Sequence, residues 1–128
     1  MALLPPIGPV SRRRSGAAVR LGFALAFLSA IVVASLLPQP WKGLTALPGL
    51  FHDGAHILAF ALAFRLLCRS RPNRVELTLA AAGLLVFGAT LEWLQTAKFG
   101  SRLEYRDILD DAIGIAAAAV SFQFTDTD

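Results

Sequence analysis

A single cysteine, Cys68, in 128 residues excludes an intramolecular disulfide, so nothing covalent staples this chain. Charge is scarce too: 16% of the residues are charged, against about a quarter in ordinary soluble domains. What fills the space is apolar, with 55% hydrophobic residues and a mean hydropathy of +0.60. A chain of this length forms one domain, and this composition places it in a membrane. The few charges are bunched, leaving long uncharged segments between them. The net charge of +3 arises from basic residues that adjoin apolar runs. They read as topology determinants and give no nucleic-acid footprint. No cofactor is expected.

Along the chain, residues 1–20 hold Pro5, Pro6, Pro9, Arg12, Arg13, Arg14 and Arg20, and read as a disordered basic tail. A transmembrane domain is expected over 21–123, with helices at about 21–37, 53–69, 76–95 and 107–123, followed by a short tail at 124–128. The first run is 17 residues without a charge, at the lower limit of about 17 to 25 for a spanning helix. A cleaved signal peptide is the rival reading, with Val32-Val33-Ala34 as the small-residue cleavage site, although its apolar region would be long for that role. Pro38, Pro40 and Pro48 with Gly43 and Gly49 make a connection that cannot continue the helix, and Trp41 within it suits an interfacial anchor. Arg65, Arg69, Arg71 and Arg74 mark the far end of the second helix; Arg65 would have to snorkel. Cys68 packs near that helix end and has no further role.

Four helices bring both termini to one side. The N-terminal tail and the connection between the second and third helices hold eight Arg, against four basic residues, Lys42, Lys98, Arg102 and Arg106, in the other two connections. The positive-inside rule makes the termini cytoplasmic in a multi-pass plasma-membrane protein. Trp41, Trp93 and Tyr105 then fall near the outer interface. So do the informative polar residues, in and around the stretch Glu92 to Gly114: Asp53 and His56 begin the second helix, Glu92 and Gln95 end the third, and Asp107, Asp110 and Asp111 begin the fourth. Helical spacing sets Gly88, Glu92 and Gln95 on one face, and Asp107, Asp111, Gly114 and Ala118 on another. A carboxylate facing lipid is costly, so these faces should turn toward each other, with Arg102 and His56 as counter-charges.

The motifs Asp53-Gly-Ala-His56, Glu92-Trp-Leu-Gln95, and Arg102 before Asp107-Ile-Leu-Asp-Asp111-Ala-Ile-Gly114 resemble the VanZ-like family of small multi-helix bacterial membrane proteins. That family's pattern is D-K-x-x-H, E-x-x-Q, then an Arg before D-x-x-x-N-x-x-G. The resemblance covers about residues 50–120. Gly54 stands where the family has Lys, and Asp111 where it has Asn, so the site here is more acidic than the pattern. The family takes its name from low-level teicoplanin resistance. The resemblance implies an all-α integral membrane four-helix bundle and a residue set, without a settled activity.

Three readings of the cluster stand open. In one, Glu92, Gln95, Arg102, Asp107 and Asp111 form an interhelical network that fixes helix register, and the protein is purely structural. In another, the cluster is a non-enzymatic binding site for an envelope lipid, a lipid-linked cell-wall precursor or a glycopeptide. In the third, the chain is a metal-dependent membrane hydrolase: His52-Asp-Gly-Ala-His56 has the spacing of two zinc ligands on one helical face, with Glu92 or Asp107 as the third. Asp107, Asp110 and Asp111 offer oxygen ligands for Mg²⁺ as well. The bland account of these aspartates is placement at a helix N-terminus, and it fits Asp110 best.

Overall fold

The computed structural model describes residues 10–37 and 50–124. Among them are four helices and no strand: α1 (Val10–Ser35), α2 (Leu50–Leu67), α3 (Arg74–Phe99) and α4 (Tyr105–Phe124). Trp41, the proline-rich connection around it, and the chain ends at 1–9 and 125–128 lie outside the described residues.

The helices run longer than the apolar runs alone suggest. α1 starts at Val10, not near residue 21, which corrects the expectation of a disordered tail through residue 20. No Pro or β-branched run interrupts the segment, and its Arg and Ala residues are good helix formers. α2 starts at Leu50, so His52 is inside the helix. α3 begins after Asn73, whose side chain accepts the backbone N–H of Glu76 at 2.8 Å, an N-cap that satisfies one orphan donor. It continues past Gln95 because the next residue unsuited to right-handed helix is Gly100. That glycine takes φ 64° and its N–H returns to the Thr96 carbonyl at 3.0 Å, the usual left-handed helix stop.

Direction alternates from helix to helix. Lys98 at the end of α3 donates to the Leu36 carbonyl just past α1 at 3.0 Å, so α1 and α3 finish at the same end. α2 and α4 start there and run parallel, in a register that pairs residue i with i+55: His52 faces Asp107 and His56 faces Asp111. This pair packs more extensively than any other. Gly114 makes that possible, because a Cβ there would strike the Ile57 carbonyl and crowd the Ala61 nitrogen. The core below it joins Phe60, Phe64, Leu84, Ile115, Ala118 and Phe122, with Cys68 buried among them.

Two segments, Gly16–Ser35 and Arg74–Phe99, are long and apolar enough to cross a membrane, with mean hydropathies of 2.2 and 1.7. Large apolar side chains are exposed on all four helices, among them Phe23, Leu58, Val86 and Ile113. The Arg65 guanidinium donates to Ser121 Oγ at 2.9 Å and lies over the Phe122 ring at 4.5 Å.

Candidate functional site at the acidic end

The end shared by the N-termini of α2 and α4 and the C-terminus of α3 collects most of the chain's acidic groups. Glu92, Asp107, Asp110 and Asp111 are all buried there. Helix polarity helps this placement, since two helix N-termini present partial positive charge to the carboxylates. His52 and His56, one turn apart on α2, lie with ring centroids 4.8 Å apart. Across from them, Asp107 Oδ2 is 3.4 Å from His52 Nε2 and 3.7 Å from His56 Nε2. His56 Nδ1 donates to Asp111 Oδ1 at 2.9 Å. An ionised carboxylate only accepts, so this bond leaves Nε2 of His56 turned toward Asp107.

Each expected site residue has a definite position. Asp53, His56, Glu92, Gln95, Asp107 and Asp111 come together at this end, and Gly114 lies deeper, at the α2–α4 crossing. Glu92 points toward the α3–α4 connection, where its Oε1 accepts the backbone N–H of Glu104 at 2.8 Å. It therefore braces the turn that delivers α4, and the group of residues whose ligand atoms converge is His52, His56 and Asp107. A cavity of about 20 Å³ is lined by His56, Gly88, Glu92, Gln95, Asp107 and Asp111, room for about one water molecule. Gly88 fits closely there, since a Cβ would stand 2.5 Å from Asp111 Oδ2 and 3.1 Å from the Phe60 ring, so those side chains would have to shift.

Two expectations change. Arg102 is exposed in the connection before α4, and the guanidinium that meets the cluster is that of Arg106, which pairs with Asp53 at 2.6 Å. Position explains the exchange: Arg106 lies in the first turn of α4, one residue before Asp107, and reaches Asp53, 53 residues back on α2, while Arg102 precedes the helix. Asp110 is not an exposed first-turn acid. It is 7% exposed, and its Oδ2 has no hydrogen-bond partner among the described residues. Its signal in the sequence was spacing, since Asp107, Asp110 and Asp111 at i, i+3 and i+4 fall on one helical face.

No family model, no curated protein and no solved structure matches this chain.

Proposed function

We propose that the chain is a multi-pass integral membrane protein of VanZ-like type, a four-helix bundle in the plasma membrane with cytoplasmic termini and its acidic end at the outer face. Its role is a non-enzymatic one in the cell envelope, tied to glycopeptide sensitivity of the teicoplanin kind. The observation that carries this reading is the distribution of polarity. All four helices expose large apolar side chains, as lipid-facing helices do, while histidines and carboxylates gather between helices at one end. α2, with 18 residues, is about 27 Å long at 1.5 Å per residue, close to the bilayer's hydrocarbon thickness of about 30 Å. The acidic groups begin in the first turns of α2 and α4, where burying charge near an interface costs far less than at the bilayer centre.

Such a site suits the amine and hydroxyl groups of a glycopeptide, a lipid-linked cell-wall precursor or a lipid head group. The acidic excess opposes a bare phosphate. The test compares glycopeptide sensitivity of deletion cells carrying wild type, Glu92→Gln or Asp107→Asn, with membrane levels measured in parallel. Altered sensitivity at normal protein level supports the binding role; loss of the protein from the membrane favours a purely structural cluster. The convergence of His52, His56 and Asp107 favours one second reading, a metal-dependent membrane hydrolase, which would require turnover of an envelope ester or amide by the purified protein.

A further inference from the structure

We propose that His52, His56 and Asp107 hold one divalent transition-metal ion of the zinc type, with Asp111 orienting His56; this deepens the proposed role of the acidic end and rests on that reading. The ligand atoms of the three residues all lie within 4.8 Å of one another. Two ligands at about 2.0 to 2.1 Å from a tetrahedral ion stand roughly 3.3 to 3.4 Å apart. Asp107 Oδ2 sits 3.4 Å from His52 Nε2 and 3.7 Å from His56 Nε2, so two edges of such a tetrahedron are nearly formed. Only the His52 imidazole has to turn inward to close the third, and its side chain, 47% exposed, has the room.

The surroundings of the three ligands point the same way. Metal-bound imidazoles characteristically give their other N–H to a carboxylate, which fixes the tautomer and raises ligand basicity. His56 does this through Nδ1 to Asp111 Oδ1 at 2.9 Å. Charge gives an independent reason. Glu92, Asp107, Asp110 and Asp111 are buried together, and the Asp110 Oδ2 atom, shielded from solvent, lacks a hydrogen-bond partner among the described residues. An uncompensated buried carboxylate is costly, and a dication bound at the same end offsets it. Two imidazoles with one carboxylate select zinc-like ions over Mg²⁺ and Ca²⁺, which prefer all-oxygen sets. Water or a polar ligand group would fill a fourth position, as in open zinc sites. A bound dication would also answer the objection to anionic ligands, because it would bridge a phosphate to this acidic end.

The experiment uses the full chain, purified in mild detergent with a histidine-free tag, stripped with a chelator and titrated with Zn²⁺ and with Co²⁺. Expected are one ion per chain and a visible Co²⁺ absorption of tetrahedral intensity. His52→Ala and His56→Ala should each abolish the tetrahedral signal. Asp111→Asn should keep the stoichiometry while weakening affinity about 10- to 100-fold. Glu76→Gln, at the opposite end, should bind as wild type. Because His56→Ala removes a buried contact, His52→Ala, at a half-exposed position, keeps the test decisive if the former misfolds. Wild type without saturable binding, or undiminished binding in His52→Ala, overturns the metal site. Glu92 lies outside the ligand set, so a Glu92→Gln sensitivity phenotype that survives a negative metal result leaves the envelope reading standing and removes only this one.

Discussion

The two ends of the molecule hold their charges in opposite ways. At the basic end Arg69 pairs with Glu76, seven residues on, through Nε at 2.8 Å and its backbone N–H at 2.7 Å. Asn73 caps the helix that starts between them. These bonds are local in sequence, and Arg69 is 61% exposed. At the acidic end the partners are 53 or 55 residues apart and most of the carboxylates are buried. Charges that need only a turn to satisfy them anchor an end in its solvent or head-group layer. Charges that need a second helix in fixed register make a site.

The largest effect should come from Gly114→Val. Its side chain would have to enter space taken by the Ile57 carbonyl and the Ala61 nitrogen, and backbone cannot swing away as a side-chain tip can. Overpacking usually costs about 1 to 3 kcal/mol, and a collision with backbone should cost about 3 kcal/mol or more. Because α2 and α4 share one register, the His52–Asp107 and His56–Asp111 contacts should be lost together. Thermal unfolding in detergent should fall steeply or the protein should fail to accumulate, whereas Gly54→Ala, with open space around it, should leave both unchanged.

Gly88→Ala comes next. The added methyl would meet Asp111 Oδ2 at 2.5 Å and the Phe60 ring at 3.1 Å, so the carboxylate must shift or rotate. The expected cost is about 1 to 2 kcal/mol of stability. The sharper readout is the acidic end itself: the His56 ring nitrogen resonances should move as its bond to Asp111 lengthens, while those of the Arg69–Glu76 pair should not.

How much of this was legible in the sequence follows the same division between local and distant partners. The start of α3 at the basic end is written locally in Asn73 and its stop at the acidic end in Gly100, and the all-helical content follows from the apolar runs. The periodicity of Asp107, Asp111, Gly114 and Ala118 was enough to name one buried face of α4. The register was not readable, because nothing short of tertiary packing fixes the offset of 55. The same packing of α4 on α2 brings Arg106, and not Arg102, to Asp53, at a separation of 53. It also decides that Asp107, and not Glu92, stands opposite the two histidines. Asp110 was misjudged for a related reason: a first-turn acid satisfies the helix dipole wherever it points, so propensity alone does not tell an exposed aspartate from a buried one. The length of α1 was missed because an arginine-rich segment looks like a tail until its lack of helix breakers is weighed.

Asp110→Asn should act in the reverse direction. Its carboxylate is buried with one oxygen unpartnered, so replacing the charge by a neutral amide of the same shape removes an electrostatic cost. Metal-free protein should gain about 1 kcal/mol, read as a higher unfolding temperature in detergent. If the dication occupies the neighbouring site, the advantage should shrink or reverse when Zn²⁺ is present, because the ion then gains from the charge that Asn lacks. A variant less stable than wild type in both conditions would show that Asp110 has a partner worth more than its burial costs.

The smallest effects should come from the two Arg–carboxylate pairs, and they compare the ends directly. Arg69→Gln and Arg106→Gln each remove an exposed guanidinium, 61% and 72% exposed, from a carboxylate that is 20% or 17% exposed. Pairs of this kind are worth about 0 to 1 kcal/mol, so neither variant should unfold the protein. They should differ in what else they change. Arg69→Gln loses a local bond at the start of α3 and should leave the acidic end untouched. Arg106→Gln leaves Asp53 without its cation beside the buried acids, raising the local negative potential, so it should tighten the binding of any cation at this end by a factor of a few while Arg69→Gln does not. Salt separates the two further: screening over a Debye length of about 8 Å at physiological ionic strength should erase the Arg106 effect at high salt. An equal response of both variants in cation binding would mean that the charges at the two ends act on the site only through the overall field of the protein, and the division drawn between anchoring end and site would fail.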